Sequence, residues 1–141
     1  MDALHIGVDV SRDRLDVAAD PPVVAPFHVA RSHEGLADLV ERLGPLGACR
    51  IAVEATGGFE TIVAAALAGA GLPVVVVNPA QVRAFAQALG KRAKTDPIDA
   101  AVIARFAGAT KPPVRALPDE ETQALADLVT RRRQIIAMIG A

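Results

Sequence analysis

A chain of 141 residues is the size of one ordinary domain, long enough to bury a core without staples. Its 15 Lys and Arg against 16 Asp and Glu leave a net charge of −1, which excludes a chain-wide basic surface as the means of holding nucleic acid. Hydrophobic residues make up 52%, but charges are interspersed and no uninterrupted apolar run reaches membrane-spanning length, while the single cysteine, Cys49, excludes an internal disulfide or a cysteine-based zinc cluster.

His5-Ile6-Gly7-Val8-Asp9-Val10 sets Ile6, Val8 and Val10 against His5, Gly7 and Asp9, the period of a strand, so Asp9 faces away from the branched side chains. The turn-prone Ser11-Arg12-Asp13-Arg14 leads to a hairpin partner, Leu15-Asp16-Val17-Ala18-Ala19. Pro21, Pro22 and Pro26 break the chain before a short third strand, Phe27-His28-Val29-Ala30. Ser32 caps a helix whose Leu36, Leu39, Val40 and Leu43 share one face, ended by Gly44-Pro45. Arg50-Ile51-Ala52-Val53-Glu54 reads as a fourth strand, turned by Gly57-Gly58 into a helix over 59–70. Cys49, just before that strand's apolar run, is expected to be a buried structural thiol.

Leu72-Pro73-Val74-Val75-Val76-Val77 is the strongest strand pattern in the chain and predicts a fifth strand buried on both faces of a parallel sheet. Asn78-Pro79 opens a helix with a cap and a proline at the first helical position, and Gly90 closes it. Asp96-Pro97 starts another helix to about 107, bounded by Gly108. A three-strand meander followed by strand and helix crossovers predicts an α/β domain over 1–110, with a mixed five-stranded sheet flanked by helices. Pro112, Pro113 and Pro118 mark a linker over 111–118, and 119–141 carries a partly amphipathic helical pattern still running at Ala141, as expected of a piece of a longer protein. The N-terminus has no basic segment ahead of an apolar one, so the expected location is cytoplasmic.

Four acids carry the candidate chemistry. Asp9 on a central strand and Glu54 at the end of its neighbour would repel unless a cation lay between them. Mg²⁺ prefers such oxygens, and a metal pair suits phosphodiester chemistry. Asp96 and Asp99, three apart, share a helix face and could close the site from the other side, although Asp96 as an N-cap and Asp99 at the third helical position would by themselves be ordinary dipole-favouring acids. Asp13, Asp16 and Asp20 read as solvated, and His5, His28 and His33 show no metal-ligand spacing. Arg83, Lys91, Arg92 and Lys94 cluster ahead of Asp96 and are candidate phosphate contacts, as are the backbone N–H groups around Thr56, Gly57 and Gly58. With four Phe and neither Trp nor Tyr, nucleic acid would be held through its backbone more than by stacked bases.

Gly7-Val8-Asp9-Val10-Ser11, Val53-Glu54-Ala55-Thr56-Gly57-Gly58, Val77-Asn78-Pro79 and above all Lys94-Thr95-Asp96-Pro97-Ile98-Asp99-Ala100 resemble the N-terminal domain of the DEDD transposases, the insertion-sequence one-hundred-and-ten family that includes the Piv-type DNA invertases. The resemblance covers nearly the whole chain in the right order, and the family's acidic tetrad falls on Asp9, Glu54, Asp96 and Asp99. It implies an RNase H-like, RuvC-like fold and a Mg²⁺-dependent recombinase, with Mn²⁺ a possible substitute, acting in DNA strand cleavage and exchange. A bridge RNA is an implied partner. It further implies that 119–141 begins a coiled coil able to make homo-oligomers, and that a nucleophilic serine is supplied by a separate C-terminal domain. Two other readings stay open at this point: a stand-alone nuclease of the same fold, such as a Holliday-junction resolvase, and a non-catalytic RNA-binding or dimerisation module. An actin-like ATPase shares the Gly-Xaa-Asp-Xaa-Ser hairpin, but the second glycine-rich phosphate loop it needs is absent from the sequence.

Overall fold

A computed structural model of the chain describes residues 3–55, 57–90 and 99–114. Five strands, β1 (His5–Val10), β2 (Arg14–Asp20), β3 (Phe27–Ala30), β4 (Arg50–Glu54) and β5 (Val74–Val77), form one sheet in the order β3-β2-β1-β4-β5. The first three strands are an antiparallel meander, and β4 and β5 add to β1 in parallel. Among the described residues four α-helices flank the sheet: α1 (His33–Leu43), α2 (Phe59–Gly69), α3 (Pro79–Ala88) and α4 (Ala100–Thr110). The mixed α/β sheet expected from the sequence is therefore the architecture found. Residues 115–141, the expected linker end and coiled-coil helix, lie outside the described residues.

Alternation along β1 and β4 divides the core into two layers. Ile6, Val8, Val10, Leu15, Val17, Ile51 and Val53 pack with Leu36, Leu39 and Leu43 of α1 and Val63 and Leu67 of α2. The opposite face is built from smaller residues. There Ala52 and Val77 meet Val82 and Ala86 of α3 and Val102, Ile103, Phe106 and Ala107 of α4, and the Phe85 and Phe106 rings join these two helices edge to face at 5.7 Å.

Local capping chemistry sets most helix starts. The Ser32 side chain accepts from the Gly35 N–H at 3.0 Å, and the Asn78 side chain accepts from Ala80 N–H at 2.7 Å with Pro79 at the first turn. Four expectations need correction. Helix α4 begins at Ala100, so Asp99 is its cap and not its third residue, accepting from Val102 N–H at 3.0 Å. That helix also runs through Gly108 to Thr110, because a glycine within a helix costs only about 1 kcal/mol and here the nearest atom to an added Cβ is His5 Nδ1, at 3.3 Å. Finally, among the described residues β5 is an edge strand: Val76 is 50% exposed, and the four valines reflect β-propensity more than burial on both faces. Cys49, too, is exposed, since it lies in the loop before β4 and not in the strand's apolar run.

Candidate metal centre

Asp9, at one end of the sheet, lies within electrostatic reach of two other predicted acids, Glu54 and Asp99. Asp9 is the penultimate residue of β1 and Glu54 the last residue of β4. The parallel register pairs Gly7 with Ala52 and Val8 with Val53, so the next step along both strands sets Asp9 beside Glu54 on the face that α4 covers. Asp99 arrives from the first turn of α4, which packs on β1 and β2. One of its oxygens, Oδ1, holds the helix cap and fixes the carboxylate's place.

The electrostatics of this corner oppose negative charge. Loss of water pushes the Asp9 carboxyl above its ordinary range, and the carboxylates of Asp16 and Asp99 push it further, against a smaller lowering by Arg14. Burial likewise raises Glu54, the charge of Asp9 adds to this, and Arg83 partly offsets it. Glu54 is 9% exposed, and its Oε2 is buried without a hydrogen-bond partner among the described residues. An orphaned buried carboxylate oxygen is costly unless a cation or donor reaches it.

Asp16 is the acid that sequence reasoning placed in solvent. It is the cross-strand partner of Asp9 in the β1–β2 hairpin and is held by Arg14 at 3.1 Å. Hairpin arithmetic could have found it, since pairing Val10 with Leu15 across the turn forces Asp9 opposite Asp16.

Of the predicted phosphate contacts, Arg83 on α3 lies within electrostatic reach of Glu54. Gly57 and Gly58 both take positive φ between β4 and α2, conformations glycine adopts without strain. The Gly58 N–H already donates to the Glu60 carboxylate at 2.9 Å, so a phosphate there would have to displace an anion. Asp96, Thr56, Lys91, Arg92 and Lys94 lie outside the described residues.

Among the described residues no three His, Cys, Asp or Glu side chains are grouped so that they could hold a metal ion. The donor chemistry nonetheless fits a hard divalent cation: carboxylate oxygens, desolvated and mutually repelling, one of them unpaired. No described helix is long and apolar enough to cross a membrane.

No curated protein matches the chain. A family model described as DEDD_Tnp_IS110, transposase, matches residues 6–141, almost the whole sequence. With its five-stranded mixed sheet and its acids gathered at one end of β1 and β4, this chain belongs to the DEDD transposase family of insertion-sequence type.

Proposed function

We propose that this chain is the metal-binding part of an RNA-guided DNA transposase, with Asp9, Glu54, Asp96 and Asp99 holding Mg²⁺, or Mn²⁺ in its place. The observation that carries this reading is the buried Oε2 of Glu54, without a hydrogen-bond partner among the described residues, beside Asp9, whose charge raises the Glu54 pKa further. Bound there, divalent ions would supply charge stabilisation to the attacking and leaving oxygens of a phosphodiester exchange. The chain's own residues do the positioning. Asp9 and Glu54 present oxygens from paired strands that cannot readily move apart, and Asp99 presents its carboxylate from a capped helix. Arg83, with Lys91, Arg92 and Lys94, would bind the DNA or bridge-RNA backbone beside the acids. Strand exchange would also need the serine on a separate domain that the resemblance implies, and oligomerisation through 119–141 would bring such sites together in the cytoplasm.

The test is thermal unfolding of the chain during Mg²⁺ and Mn²⁺ titration. A ligand at one hundred times its Kd stabilises the fold by about 2.7 kcal/mol. We expect such a shift in the wild type and its loss in Asp9→Asn. An absent shift in the wild type would leave the non-catalytic nucleic-acid-binding or dimerisation module as the better reading.

A further inference from the structure

Gly7 lies two residues before Asp9 on the same face of β1. It is the centre of a row of small residues across three strands: its partner on β2 is Ala18 and its partner on β4 is Ala52, both buried. The first turns of α4 rest on this row. A Cβ added to Gly7 would overlap the Ala100 carbonyl oxygen, lie 2.5 Å from the Ala104 nitrogen and come within 3.1 Å of the Ile103 carbonyl carbon. All three are backbone atoms, so no rotamer change relieves the overlap. Gly7 is not among the residues with positive φ, so the glycine is required by close approach and not by a turn.

What approaches is the segment that carries the third acid. Ala100 is the first residue of α4, and Asp99 is the cap bonded to that first turn. We propose that Gly7 is a positioning residue of the metal centre: by letting α4 sit directly on β1, it fixes Asp99 at the end of the strand that bears Asp9. The proposal rests on the reading that these two acids share a cation. An added methyl would lift the first turn of α4 from the sheet and carry Asp99 away, whereas trimming Ala100 or Ala104 to glycine would not restore the seat, because the contact is with backbone.

Gly35 provides a steric control. A Cβ there would overlap the Ala30 carbonyl oxygen and lie 2.7 Å from its carbon, again backbone, but in the α1 layer on the other side of the sheet. Mn²⁺ affinity is measured by calorimetry on the folded chain for the wild type, Gly7→Ala, Gly35→Ala, Asp99→Asn and the Gly7→Ala/Asp99→Asn double variant, with thermal unfolding alongside. Gly7→Ala and Gly35→Ala should both lower Tm, but only Gly7→Ala should weaken Mn²⁺ binding, by about tenfold or more, as loss of a ligand-orienting residue does. In the Asp99→Asn background Gly7→Ala should cause no further loss, since the residue through which it acts is gone. Equal losses in both backgrounds, or an equal loss from Gly35→Ala, would overturn the proposal and leave Gly7 a packing residue. Wild-type affinity in Gly7→Ala, with weaker binding in Asp99→Asn, would overturn it while sparing the metal reading; no Mn²⁺ binding to the wild type would overturn both. Should Gly7→Ala fail to fold, Ile103→Val takes its place: it shaves one methylene from α4's buried seat, and its smaller loss of affinity must likewise vanish when Asp99 is Asn.

Discussion

Asp9 and Glu54 hold protons more tightly in the folded chain than in the unfolded one. Between the ordinary carboxyl range near pH 4 and their raised folded values the native state binds more protons, so stability falls as pH rises through that window and stays lower at neutral pH. Without divalent metal, Asp9→Asn and Glu54→Gln should therefore raise Tm at pH 7 relative to the wild type, measured in chelator, and the difference should vanish near pH 3. A wild type more stable than both variants at pH 7 would mean that these acids are structural. At this scale the sequence was legible where a charge broke a pattern: an acid inside an Ile and Val strand, and an acid at a strand's end. It was not legible for Asp16, whose meaning depends on its cross-strand neighbour, nor for Cys49, whose exposure depends on how its loop is covered.

Among the elements, β5 separates propensity from place. Four consecutive valines predict a strand under either reading, but only the sheet order reveals that nothing described pairs with its outer edge. Val76→Thr should accordingly change stability by no more than about 0.5 kcal/mol. Val53→Ala, fully buried on the neighbouring β4, should cost about 2 kcal/mol through lost burial and the cavity left behind. Chemical denaturation of both variants checks this, and similar costs would place β5 in the interior. The start of α4 carries a related lesson. The sequence offers Asp96 as the cap and Asp99 as the third helical residue; the observed bond from Val102 N–H, together with a first turn seated on Gly7, makes Asp99 the cap of α4.

Across the whole molecule the two ends of the sheet have opposite chemistry. The end away from the acids holds His5, 3% exposed, with its Nε2 3.2 Å from Arg50, while Arg50 Nε donates to the Pro112 carbonyl at 2.7 Å and so ties the exit of α4 to β4. Burial lowers the His5 pKa, with the charges of Arg50 and Lys111 adding to the effect against Asp20 and a hydrogen bond at Ala3. The folded value lies below the unfolded one, so His5 contributes stability above about pH 6.5 that is lost as pH falls through its folded pKa. His5→Gln should flatten the dependence of Tm on pH between about 5 and 7. An unchanged slope would show that His5 titrates alike in both states.

The order of elements, the mixed sheet, the caps at Ser32 and Asn78 and the strand positions of Asp9 and Glu54 were determined by sequence alone, because periodicity and capping are local properties of the chain. The family could be recognised from short motifs for the same reason, since each is a run of consecutive residues. Tertiary structure decided what no local pattern encodes: that Asp16 faces Asp9, that among the described residues Glu54 Oε2 is buried without a partner and β5 is an edge, and that α4 approaches β1 too closely to leave room for a Cβ on Gly7. Each of these is a relation between residues distant along the chain, and its energy exists only once the strands and helices have met.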